Sequence, residues 1–566
     1  MKPLNTLHAS IVHALLANAE LGADAPSTIV VSESEDAETI THEKLAEASL
    51  RAAAILADSG VRPGDRVMIC LPTSPAFLTA FFATMALGAI PTAVPLPGGF
   101  GAIDVFASKF RRLVAYLEPR AIIAISLVAD ALKPDISSAI AVHDGEILHI
   151  QARDPGTPTM APRLPAGDDL AFIQCTSGST GKPKGVMITH ANLVNNCEQI
   201  RRKCQCGIDD TWVGWLPLNH DMGLIGGTLT PLYSRTRAVQ IPPTRFLRQP
   251  AEWLLNVSRY QGTITAAPNF AYGYAAARIK DEELDGVDLS SWRFMFCGAE
   301  PIQFDTVRRF VERFRHWGLP ENSLIPCYGL AEASLAVTVS RPQSIAFDVV
   351  DRHALATARI AKDTTPEDPA ALTVIDCGTV VDGAEIRITD EDGTVLGENA
   401  LGRIQFRGPA TTAGYFGLPD ETAKSMTADG WWDSGDIGYL RDGGLRVTGR
   451  AKDIIIIRGA NYFPSNFEHA AESVAGVRIG GVAAVGHTAE GEDSESLHLI
   501  VETEVDEAVR DSLRRAVRSA VSARTGVLPA AIHLVPKRSI PKTTSGKVQR
   551  SKAKRLFVER EQVTQQ

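Results

Sequence analysis

The sequence predicts an α/β fold, and three textures along the chain carry that reading. From about residue 42 to 340, helical patches alternate with short β-branched runs, as in "KLAEASLRAAAILADSG" followed by "DRVMICLP". Beyond residue 374 come short strands joined at Asp-Gly turns ("AEIRITDEDGTVL", "GRIQFRG", "DIGYLRDGGLRVTGR"). A last stretch, roughly 453–566, mixes strands and helices again. Alternation of the first kind predicts parallel-type sheets flanked by helices, and hairpins of the second kind a small β-barrel or sheet. The expected architecture is a large N-terminal part with both features, followed by a small α+β part.

The elements follow in order. "MKPLNTLHASIVHALL" reads as an amphipathic helix rather than a signal peptide, because polar residues interrupt its apolar stretch. "AFLTAFFATMALGAIPTAVPLP" (76–97) is broken by Gly88, Pro91 and Pro95, so it reads as a buried helix running into a buried strand and not as a membrane span. "DTVRRFVERFRHWG" then "SLIPCYG" repeats the helix–strand pattern, and "AVRDSLRRAVRSAVSAR" predicts a helix near the C-terminus.

Bulk properties narrow the function. A chain of 566 residues exceeds one ordinary core, so two to four domains are expected. A hydrophobic fraction of 45 % is globular composition, and a net charge of −9 argues against nucleic acid as the main partner. Of the eight cysteines only Cys197, Cys204 and Cys206 cluster, without the paired spacing of a zinc site. Reduced thiols in a cytoplasmic protein are expected.

The most informative stretch is "QCTSGSTGKPKGVM" (174–187). A nucleoside-triphosphatase P-loop would need glycine where Thr176 stands and a hydroxyl where Pro183 stands, so that template fails twice. Yet the stretch is rich in groups an anion could use. Gly178, Gly181 and Gly185 let backbone amides approach closely; Thr176, Ser177, Ser179 and Thr180 add hydroxyls; Lys182 and Lys184 add charge. Apolar runs on both sides predict a loop linking two strands.

With "TSGSTGKPKG" (176–185), "YGLAE" (328–332), "WWDSGDIG" (431–438), "GRAKDIIIIRG" (449–459) and "PKTTSGKVQR" (541–550) in one order, the chain resembles the adenylate-forming superfamily of acyl-CoA synthetases, adenylation domains and luciferases. The match runs nearly end to end. It implies an N-terminal domain (1–449), a hinge (450–452) and a mobile C-terminal domain (453–566), with the active site between them. The implied reaction is attack of a carboxylate on the α-phosphate of ATP, giving an acyl-adenylate and pyrophosphate.

By resemblance, Lys547 is the catalytic lysine bridging the carboxylate and the α-phosphate, and Glu332 holds Mg²⁺. Tyr328, beside Gly329, stacks on adenine, and Gly298, Ala299 and Glu300 flank its edge. Asp436 receives the ribose diol with help from Arg450, and Lys452 is the hinge. The residue types suit these roles: a carboxylate for a hydrated magnesium ion, and a compact cation where negative charge builds up. Ala331 stands where family members often have threonine, so a hydroxyl near the phosphate is missing.

"GWLPLNHDMGLIGGTLTPLY" (214–233) is apolar and glycine-rich, as a channel for an aliphatic chain would be. Trp215, Gly223, Leu224, Ile225, Gly226 and Gly227 are the expected pocket residues. His220 falls where an amino-acid-activating enzyme presents an aspartate, although a register shifted by one would put Asp221 there. This wording, with "YGLAEASLAV", is similar to that of fatty acyl-AMP ligases, which pass the acyl group to the phosphopantetheine thiol of an acyl carrier protein. The long segment 339–376, containing "FDVVDRHAL", resembles the insertion by which those enzymes disfavour CoA. An acyl-CoA synthetase, and a catalytically silent binding module on the same fold, are the competing expectations.

Overall fold

The computed structural model describes residues 4–22, 27–33, 36–97, 103–132, 137–177, 183–343, 345–489, 492, 494–543 and 546–559. Its centre is one mixed sheet of fourteen strands among the described residues. Six neighbouring strands run parallel, in the order Leu324–Gly329, Phe294–Gly298, Ile264–Pro268, Thr211–Gly214, Arg237–Gln240, Ser27–Val31. From Leu324–Gly329 outward the other way every pairing is antiparallel, through Ala336–Val339, Ala371–Val380, Gly444–Arg450, Trp432–Arg441, Gly402–Arg407 and Glu385–Thr389. The expected small barrel is thus the antiparallel half of this sheet, continuous with the parallel half. The Asp-Gly turns build it as local hairpins, while its first strand simply continues from the last parallel one.

Two further layers complete the N-terminal part. Ile90–Ala93, Arg66–Cys70, Ala121–Ala124 and Ala141–Asp144 form a parallel four-stranded sheet. Helix Pro75–Ala86, with nearly every residue buried, feeds its edge strand, as the 76–97 pattern predicts. Ser74 caps that helix by accepting from Phe77 N–H, and Pro75 sits at its first position, where no amide partner is lost. Leu170–Ser177 and Pro183–Thr189 pair as an antiparallel hairpin. No helix among the described residues is long and apolar enough to cross a membrane.

Residues beyond Asp453 carry their own core. Strands Val477–His487, Ser496–Thr503 and Ala531–Val535 form a sheet. Phe467, Val482, Leu499, Val517 and Val521 pack together on it. The insertion is folded too. Phe347–Asp351 pairs with Ala371–Val380, and Ala354–Ala358 makes a turn of π-helix. Arg352 donates to the carbonyl of Arg524, and the Asn461 amide donates to that of Ala356 (3.5 Å), so the segment touches the C-terminal part at two points.

Candidate active site

A cleft of about 2310 Å³ opens where the parallel strands end and the C-terminal part lies against them, the position open α/β sheets reserve for ligands. Tyr328 sits at the end of the strand where parallel pairing gives way to antiparallel. Its hydroxyl donates to Asp436 Oδ2 (2.8 Å), and Arg450 Nε lies 3.2 Å from Asp436 Oδ1. Asp436 and Arg450 are cross-strand partners, so one register brings both to the cleft.

Close packing explains three residues of the turn motifs. At Gly329 any Cβ would lie 1.9 Å from the carbonyl oxygen of Leu335, and at Gly298 2.8 Å from that of Cys327. Ala299 adopts φ +66°, a strained conformation for a side-chain-bearing residue. The Glu300 side chain turns under the neighbouring helix and accepts from Phe270 N–H (2.6 Å); burial pushes its carboxyl above the usual range.

Glu332 follows in a single 3₁₀ turn, and Tyr415 donates to its Oε1 (2.7 Å). Burial raises the Glu332 carboxyl, with the Tyr415 hydrogen bond opposing. Lys184 lies over the Tyr415 ring at 4.5 Å and pairs with Glu421 (2.8 Å). Thr176 Oγ1 donates to the carbonyl of Lys184 (3.3 Å), closing the hairpin base. Ser177 ends the first hairpin strand. Gly178, Ser179, Thr180, Gly181 and Lys182 lie outside the described residues.

Lys547 reaches the cleft from the other side. Its turn is held by Thr543 N–H donating to the Lys547 carbonyl (2.8 Å) and Lys547 N–H donating to Thr543 Oγ1 (3.0 Å). Gly546, at φ +86°, packs with its Cβ position 3.3 Å from the Phe270 ring. Burial lowers the Lys547 ammonium and Arg450 adds to this, while Asp221, Glu300 and Asp436 oppose. His220 Nδ1 lies 2.7 Å from Asp221 Oδ1, and both line the cleft. Burial would raise Asp221, yet His220, Lys547 and the Met222 N–H together hold it below the usual carboxylate range. The two registers open for this position therefore describe a joined pair.

Two residues escaped the sequence reading. Tyr415 joins Glu332 to Lys184, and only its place in "AGYFG" hinted at it. Arg550, three residues after Lys547, donates twice to Glu468 (2.7 Å each) and once to Asp453 (2.9 Å). Lys452 lies beside Asp453 in the 3₁₀ turn Ala451–Asp453, and burial lowers its ammonium.

The expected acyl-pocket residues divide. Gly226 borders the cleft, and a Cβ there would approach Leu335 at 3.2 Å and Trp212 at 3.8 Å. Trp215 also borders it, stacked on Phe246 at 3.8 Å. Leu224 and Ile225 do not; both are buried in the main core. Gly223 packs against the Pro217 carbonyl, and with Gly227 it lines a separate void of about 10 Å³. The stretch coils as a π-helix, Met222–Leu229, so about one residue in four to five faces the cleft; composition alone could not say which.

Residues 18–416 match the AMP-binding enzyme family, and the chain belongs to it. It is an adenylate-forming, ATP-dependent ligase. It is 33% identical over 526 residues to a putative acyl-CoA synthetase of Caulobacter vibrioides, covering 92% of this chain and 91% of that protein. It is also 33% identical to the long-chain-fatty-acid–AMP ligase FadD26 of Mycobacterium bovis, covering 86% of each. With the medium-chain-fatty-acid–[acyl-carrier-protein] ligase JamA of Moorena producens it shares 34% identity over 69% of this chain and 68% of that one. A structure from work on fatty acyl-adenylate ligases of E. coli and L. pneumophila superposes with a TM-score of 0.90 at 32% identity, covering 99% of this chain and all of that one.

Proposed function

We propose that the chain activates a fatty acid with ATP to acyl-AMP and then transfers the acyl group to the phosphopantetheine thiol of a holo-acyl carrier protein. One observation carries the first half: Lys547, Asp221 and the paired Asp436 and Arg450 line one cleft. A carboxylate oxygen attacks the α-phosphorus, the bond to pyrophosphate breaks, and Lys547 meets the charge that gathers between them. Asp436 accepts from the ribose hydroxyls and Tyr328 flanks the base. The hairpin hydroxyls and Lys182 grip the departing pyrophosphate. Glu332, buried in the wall with Tyr415 on one oxygen, suits a magnesium ion that keeps most of its waters; such an ion would screen the phosphates from the incoming carboxylate.

The acceptor reading rests on the 339–376 insertion, which touches the C-terminal part through Arg352 and through Ala356. Those contacts favour the orientation that presents Lys547. Transfer needs rotation about Lys452, and CoA brings no docking surface to offset the lost contacts. An acidic carrier protein does, and Lys537, Arg538, Lys552 and Arg555 are exposed cations near the lysine turn. The test compares CoA with holo-carrier as acceptor. Carrier loading is expected to exceed acyl-CoA formation, and shortening the insertion to raise CoA use. Equal rates for the intact protein would make it an acyl-CoA synthetase.

A further inference from the structure

Part of the cleft lining lies between the sheet and helix His190–Cys204: Ala266, Phe296, Trp212, Leu335, Val339 and Ile200 line the cleft and pack in one apolar cluster, and this apolar part is the branch that matters here. Gly226 keeps it open between Leu335 and Trp212. Beside this apolar part stands a charge: Lys203, three residues on from Ile200 along the same helix, lines the cleft too.

The position of Lys203 follows from the fold. Its neighbour Cys204 accepts at its carbonyl from Arg293 (3.5 Å), the residue just before strand Phe294–Gly298. The helix therefore ends at the N-terminal edge of the strands, whereas Gly298 and Tyr328 lie at the C-terminal edge. Five residues of strand separate the two, roughly 13 Å at the usual rise.

Its neighbours differ from it. Arg201 and Arg202 turn back onto Glu198 (2.8 and 2.7 Å), and Arg202 also approaches Asp382 (3.6 Å). Lys203 turns toward the branch, and its Nζ donates to the hydroxyl of Thr379 (3.1 Å). Among the described residues no carboxylate lies within ion-pairing distance of it. Burial lowers its ammonium, Asp382 opposes this, and Arg341 adds to it. A half-buried cation beside an apolar passage is costly unless an anion meets it.

We propose that the acid this enzyme activates carries a second anionic group at its far end, a long α,ω-dicarboxylic acid or its equivalent, and that Lys203 with Thr379 reads that group. The inference rests on the fatty-acid reading above. The Lys203–Thr379 pair would accept the distal carboxylate while the near one meets Lys547, so chain length and terminal charge are selected together.

The experiment measures pyrophosphate release with straight-chain acids from octanoic to hexadecanoic and with the matching diacids. At one length the diacid is expected to exceed its monoacid in kcat/KM. Lys203→Met should lower that ratio roughly ten- to a hundredfold, the worth of one hydrogen bond to a charged group, and Lys203→Arg should retain most of it. Because both acids are assayed on one preparation, the ratio does not depend on how much variant folds. A wild-type preference for monoacids at every length, or a ratio unchanged in Lys203→Met, overturns the inference and leaves fatty-acid activation standing. Pyrophosphate release with neither series removes both.

Discussion

The two walls of the cleft are made differently. On the N-terminal wall Tyr328 sits near a strand end, Glu332 in the turn that follows and Asp436 within strand Trp432–Arg441, and each is tied to another side chain: Asp436 to Tyr328 and Arg450, Glu332 to Tyr415. On the C-terminal wall Lys547 sits on a short turn held mainly by its own backbone. On the proposed reading, the groups that recognise the nucleotide are fixed before it arrives, while the group that acts on the departing charge is carried by the C-terminal part. On that reading preorganisation and delivery are divided between the two walls.

The strongest attempt to break this contrast is Lys547→Ala. Loss of one charge-stabilising contact is expected to lower acyl-adenylate formation roughly 10²- to 10³-fold while circular dichroism stays unchanged, since the residue belongs to a short turn lining the cleft and to no hydrophobic core cluster. Near-normal pyrophosphate release by the folded variant would remove Lys547 from delivery. On the fixed wall, Glu332→Gln should raise the magnesium needed for half-maximal rate by at least the roughly 10- to 100-fold that losing an outer partner of a metal site costs. An unchanged magnesium titration, or full activity in EDTA, would reassign Glu332 to structure alone.

A smaller effect sharpens the boundary between the walls. Glu472 ends the helix Pro464–Glu472, and burial, with Glu468 next, pushes its carboxyl from an ordinary 4.5 to about 8; Gly480 N–H and Lys542 oppose, and Glu300 across the cleft adds. The folded chain therefore binds a proton that the unfolded chain releases between those values. The stabilisation is whole at low pH and is lost as pH rises through about 8. Melting temperature should fall over that window, and Glu472→Gln should flatten the slope. An equal slope in the variant would place the titration elsewhere.

Much of this was legible in the chain. Alternating helix and strand patterns gave the parallel half, and Asp-Gly turns gave the hairpins, because both signals are local. The motifs singled out Lys547, Asp436 and Glu332, and all three line the cleft. Long-range pairing was less legible: no local signal says that Ala336–Val339 leaves the parallel half and begins the antiparallel one. The acyl-pocket expectation failed at Leu224 and Ile225 for a related reason. In an all-apolar, glycine-rich stretch every face looks alike, and the neighbours decide which one is core. Arg550 was hidden among cations, since its partners Asp453 and Glu468 lie far from it in sequence.

That last contact has a mechanical meaning. Arg550 fastens the lysine turn both to Glu468, on the body of the C-terminal unit, and to Asp453, the residue beside Lys452. If Lys452 is the axle, this is a crank keyed to its shaft: the arm cannot swing without the shaft turning, nor the shaft turn without the arm. One angle then specifies where Lys547 stands, and the many postures of a long basic tail collapse to a single coordinate. On that reading the search for the productive geometry is completed when the chain folds, and each turnover repeats only the stroke.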